Sequence, residues 1–140
     1  MGTITANYDS ARPSAQNLAA RSSVEKVISI LRLTFGLVPI VAGLDKFTHI
    51  LVNWDQYLAP QVAEILPFAP HTFMLIVGVI EIIAGLIVLF KPRIGSLIVC
   101  LWLLGIVINL LLAGYYDIAV RDAVMAIAAF SLFTLLSGKQ

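Results

Sequence analysis

Charge is the scarcest property of this sequence. Of its 140 residues, nine are Lys or Arg and eight are Asp or Glu, 12% in all, about half the share in an ordinary soluble domain. The signs nearly cancel, to a net +1, which leaves no basic surface for nucleic acid and no field to gather an acidic substrate. Cysteine is almost missing as well. Cys100 stands alone in an apolar run, which excludes an internal disulfide and any zinc or iron–sulfur motif built from several cysteines. There is no Gly-rich phosphate loop, no Ser-His-Asp arrangement and no His-x-x-x-His spacing, so nothing reads as a self-contained catalytic centre.

What remains is apolar. Hydrophobic residues make up 60% of the chain, and they gather in four runs close to the ~20 residues that a membrane-crossing helix needs. The runs are Val27–Leu51, Thr72–Phe90, Ile94–Gly114 and Ala119–Ser137. The expectation is an all-α, integral membrane four-helix bundle formed by residues 24–140. Residues 1–23 are small and polar, with Arg12 and Arg21, and lack the apolar centre of a secretory signal. They read as a flexible cytoplasmic tail, with Ser22-Ser23-Val24-Glu25 placed to cap the first helix. Lys91-Pro92-Arg93 and Gly114-Tyr115-Tyr116-Asp117 make short links. The long link, Val52–His71, carries Trp54, Tyr57 and three prolines. Its segment Trp54–Leu66 is suited to a short interfacial helix, since Trp and Tyr favour the headgroup level.

Orientation follows from the cations. Arg12, Arg21, Lys26, Lys91, Arg93 and Lys139 all fall on one side of a four-span chain. Both termini are therefore expected in the cytoplasm.

Against this apolar background Arg32, Lys46 and Glu81 stand out. An ionised group at membrane depth needs a partner or a polar cavity. At about 100° per residue, Arg32, Gly36, Gly43 and Lys46 share one face of the first helix, and Gly78, Glu81 and Gly85 share one face of the second. Glycines seven apart leave a smooth strip where backbones approach closely, so the two faces are expected to meet. The segments Gly36–Leu44 and Gly78–Leu86 also echo each other in sequence. Measured from the cytoplasmic surface, Arg32 and Glu81 differ in depth by about 6 Å, which predicts an Arg32–Glu81 ion pair. That pair either fixes helix register, or marks a quinone or proton site; alternatively Glu81 faces a partner subunit.

Asp45, Lys46, Arg121 and Asp122 are expected to form a polar cluster at the outer surface, with Lys46 able to snorkel to water. His49 and His71 lie at the same surface and are the two candidate metal or haem ligands, although each is comfortable at a boundary without one, and no bound metal or haem is expected. Asn109 is expected to make an interhelical hydrogen bond, and Trp102 to pack or face lipid.

Taken in order, Leu31-Arg32-Leu33-Thr34-Phe35-Gly36, Ala42-Gly43-Leu44-Asp45-Lys46-Phe47, Trp54-Asp55-Gln56-Tyr57-Leu58 and Gly78-Val79-Ile80-Glu81-Ile82-Ile83-Ala84-Gly85 resemble the DoxX-like family of small four-helix bacterial membrane proteins. The resemblance covers roughly residues 27–136. It implies the four-helix fold, a bacterial inner (cytoplasmic) membrane as the location, and a link to quinone-dependent oxidoreductases, some of which oxidise thiosulfate. The role it suggests is an accessory or anchoring subunit of a membrane redox complex, quinone-linked or respiratory or photosynthetic, and not catalytic by itself. A quinone would be the ligand, with Arg32 and Glu81 at its pocket and Lys46 at the other end. The partners would be the lipid bilayer and other membrane subunits or further copies of the chain. The rival reading is a small proton-coupled transporter in which Glu81 titrates.

Overall fold

A computed structural model describes residues 13–139. It is helical throughout, with five α-helices in the order α1 (Ala15–Thr48), α2 (Pro60–Ile65), α3 (Pro70–Phe90), α4 (Pro92–Ala113) and α5 (Tyr116–Ser137). α1, α3, α4 and α5 are each long and apolar enough to cross a membrane. A 3-10 turn at Trp54–Tyr57 and the short α2 occupy the long link.

The first helix begins earlier than its apolar run. Ser14, not Ser22 or Ser23, provides the cap, with its Oγ accepting from the Asn17 amide at 3.3 Å. Residues 15–23 of the expected tail are thus helical, and residues 1–12 lie outside the described residues. α1 continues through Pro39, although proline removes one backbone donor. It stops at His49, which adopts a left-handed conformation (φ 53°) and donates its amide to the Asp45 carbonyl. The turn between α3 and α4 is a single residue, Lys91, because Pro92 cannot extend α3 but is well suited to the first position of α4. Gly114 at φ 83° ends α4, its amide bonding to the carbonyls of Leu110 and Leu111, as expected where a left-handed cap must close a helix.

These short turns set α3, α4 and α5 antiparallel in succession. α1 packs chiefly on α3, α4 on α5, and α1 also touches α5, so the four long helices close into a bundle. The bundle has a termini end and a connection end. At the termini end, Lys139 reaches Glu25 at 3.2 Å. The apolar core lies toward that end and joins Ile28 and Phe35 of α1 to Ala84 and Val88 of α3, Val99 and Leu103 of α4, and Ala126, Ala129 and Leu132 of α5. Cys100 is buried in the same cluster. Toward the connection end the buried residues include Asp45, Lys46, Glu81 and Asp122.

Candidate functional site: a buried ion pair latched to the connection

The α1–α3 seam is built on glycine. A Cβ on Gly43 would lie 2.5 Å from the Gly78 carbonyl oxygen, and one on Gly78 would lie 2.8 Å from that of Gly43. Nearer the termini end, a Cβ on Gly85 would strike the Gly36 carbonyl oxygen. The two glycine strips therefore face each other in antiparallel register, Gly43 beside Gly78 and Gly36 beside Gly85. Backbones this close leave room in the seam for one long polar contact.

Lys46, not Arg32, makes it. Lys46 Nζ donates to Glu81 Oε2 at 2.6 Å, with the two side chains 3% and 9% exposed. The expected Arg32–Glu81 pair does not form, and the cause is geometric. The glycine register sets Glu81 level with Ile40. Arg32 lies eight residues away from that level, about 12 Å along α1, and Lys46 only six, about 9 Å. Helix side chains also lean toward their own N-terminus. In antiparallel helices this leans Lys46 and Glu81 toward each other and Arg32 away from both. Arg32 instead is exposed and donates through Nε, at 3.0 Å, and through Nη2 to the carbonyl oxygen of Leu89. That carbonyl belongs to the last turn of α3, where helix acceptors lack partners and a positive charge is favourable. Arg32 is thus a cap on α3.

Trp54 joins the pair to the connection. Lys46 Nζ lies 3.9 Å from the centroid of the Trp54 ring, a cation held on the negative face of an indole. The same indole donates Nε1 to Asp45 Oδ2 at 2.7 Å. Asp45 gathers the start of the connection as well. Its Oδ1 accepts from the amides of Ile50 and Leu51, both at 2.9 Å, and from Thr48 Oγ1 at 3.3 Å, while Oδ2 also accepts from the Val52 amide at 3.4 Å. A carboxylate is acceptor-only, and here it satisfies the amides that a chain leaving a helix would otherwise expose. From the far side, Asn109 of α4 donates Nδ2 to the Tyr57 carbonyl at 2.7 Å and accepts the Ala59 amide at 2.9 Å. The expected helix-to-helix amide bond is therefore a bond to the connection, which it holds with Leu58 and Ala59 buried.

The expected outer cluster divides. Asp45 and Lys46 serve the latch and the seam. Arg121 pairs with its neighbour Asp122, Nε to Oδ1 at 3.0 Å, with Arg121 exposed and Asp122 turned inward on the face of Ala119, Ala126 and Ala129. Trp102 of α4 stands close to Glu81, and its Nε1 is buried without a hydrogen-bond partner. His49 and His71 do come together: their rings stack with centroids 5.5 Å apart, and His71 Nδ1 lies 3.0 Å from Asp55 Oδ2. Trp54 and Asp55 stood out in the sequence only as an interfacial aromatic and as part of the family resemblance, without their roles beside Lys46, Asp45 and His71. Only a folded link brings them to α1 and α3, and no spacing in the chain announces it.

Chemically, the arrangement immobilises a lysine and a glutamate inside an apolar bundle and ties them through one indole to an ordered link. No family model, curated protein or solved structure matches the chain.

Proposed function

We propose that this chain is an accessory or anchoring subunit of a membrane redox assembly, DoxX-like, with both termini in the cytoplasm of a bacterial inner membrane. The observation that carries the subunit reading is the closed Lys46–Glu81 pair. The one carboxylate deep in α3 is bonded at 2.6 Å to a cation that is itself buried, so the polar interior fixes geometry instead of presenting a free proton carrier. Exposed apolar side chains on every long helix, among them Ile30, Val41, Ile83, Leu101, Ile108 and Ile127, suit lipid or the flank of another subunit. The redox and quinone parts rest on the family resemblance. The side chains suited to a quinone headgroup are those nearest Glu81: Trp102 Nε1, a buried donor standing beside the Glu81 carboxylate, and Lys46. Arg32, which caps α3, is not among them. The orientation is supported by Lys139 standing beside α1, with the α3–α4 turn and its Lys91 and Arg93 at the same end.

The test is gentle extraction from native membranes, native electrophoresis, and mass spectrometry with a visible redox spectrum of the band. Co-migration with a cofactor-bearing partner is the expected result. Migration alone, colourless and as a small oligomer, overturns the subunit reading and favours the proton-coupled carrier.

A further inference from the structure

The geometry points to a transition-metal site at the connection end, formed by His49, Asp55 and His71 and suited to a divalent ion of the Zn2+ class. The donor atoms of these three side chains all lie within 4.8 Å of one another. They come from three separate elements: His49 from the cap of α1, Asp55 from the 3-10 turn and His71 from the first turn of α3. In the sequence, His49 and His71 alone gave two ligands with no third, and no bound metal was expected. Folding of the link adds the carboxylate.

Two imidazoles and one carboxylate form a borderline donor set that favours Zn2+ and its first-row neighbours over Mg2+ or Ca2+. Three protein ligands with a fourth position open to water is the arrangement of an accessible zinc site. In four-coordinate geometry the donors stand about 3.3 Å apart. Asp55 and His71, at 3.0 Å, are already that close. With every donor atom within 4.8 Å of the others, His49 has at most about 1.5 Å to turn inward, and its ring is exposed on the cap of α1. A second observation singles out the carboxylate. Asp55 Oδ1 is buried with no hydrogen-bond partner, and a desolvated acceptor left unpaired is costly. Charge from a bound cation on the same carboxylate offsets that cost. The Asp55 backbone is held for the task, its amide bonded to Asn53 Oδ1 at 3.2 Å and its carbonyl accepting from the Leu58 amide at 3.3 Å. A metal here would staple the ends of α1 and α3 to the link.

The experiment uses the full-length, untagged chain in lipid nanodiscs, stripped with chelator and dialysed against Zn2+, with bound metal counted by elemental mass spectrometry. One Zn2+ per chain is the expected result. Loss of an outer-shell partner alone weakens metal sites 10–100-fold, so D55N, H49Q and H71Q should each lower affinity at least about tenfold. No saturable site on the unaltered chain overturns the proposal. So does undiminished binding in all three variants while their helical circular dichroism is retained. Should the variants misfold, Co2+ on the unaltered chain decides: visible bands of a four-coordinate ion support the site, and the spectrum of the hydrated ion refutes it.

Discussion

The two helix pairs of this bundle are held by different means. α4 and α5 meet through ordinary side chains, with Val99 and Leu103 in one core with Ala126, Ala129 and Leu132. α1 and α3 meet backbone to backbone, at Gly43 against Gly78 and Gly36 against Gly85, with one buried ion pair beside the glycines. The first kind of seam is tolerant, because small changes in side-chain volume are absorbed by repacking. The second has little slack. A carbonyl oxygen cannot move aside, and a charge that loses its partner in an apolar setting has nowhere to turn. Any function that depends on a fixed geometry is therefore expected on the α1–α3 side, where the link is also fastened.

The sharpest way to break the contrast is through the charges. Lys46→Met leaves Glu81 buried and alone, and should destabilise the bundle by about 3–5 kcal/mol. Adding Glu81→Gln to the same chain should recover much of that loss. Steric-trap unfolding in bicelles measures both, and full stability in the single variant would show that the pair is not part of the seam.

Next in size come the glycines, where a position inside the α1–α3 seam and one outside any seam should respond with opposite sign. In Gly43→Ala the new methyl meets the Gly78 carbonyl oxygen at 2.5 Å and Ile82 Cγ1 at 2.8 Å, an overlap expected to destabilise by about 1–3 kcal/mol. In Gly105→Ala, on the exposed side of α4, the methyl meets nothing within 4 Å, and the helix should gain about 0.5–1 kcal/mol. Thermal unfolding of the two variants side by side decides the matter; equal responses would erase the distinction.

The smallest effect belongs to Arg32. As an exposed cap on α3, its replacement by Gln should cost about 1 kcal/mol or less and should add independently to Glu81→Gln in a double-mutant cycle. A coupling above about 1 kcal/mol would reinstate an Arg32–Glu81 interaction.

The long helices could be read from the chain because membrane length and apolar composition leave few alternatives, and the observed α3 and α4 begin within two residues of the expected starts. The start of α1 could not, since Ala15–Ser23 is polar and helical at once, and an apolar run marks only the part of a helix that avoids water. Glycine spacing identified the faces of α1 and α3 that meet. It left open how far the helices slide along each other, and that slide decides which cation reaches Glu81. Depth counted from an assumed surface chose Arg32. The register of four glycines, together with the lean of side chains toward each helix start, chooses Lys46. The link was hardest to read. Asp45, Trp54 and Asn109 act on it through bonds spanning five to 52 positions, and periodicity carries no information about such contacts.

Trp54 shows how narrow the choice of residue becomes when one side chain answers to two neighbours. It presents a ring face to the Lys46 cation and an N–H to the Asp45 carboxylate. Phenylalanine keeps the face and loses the donor. Glutamine keeps a donor and loses the face. Tyrosine has both, but its hydroxyl projects along the ring axis, whereas the indole N–H leaves from the ring's flank. Tryptophan meets both demands at the angle between them, so one side chain of the link holds a cation and an anion that are neighbours on α1.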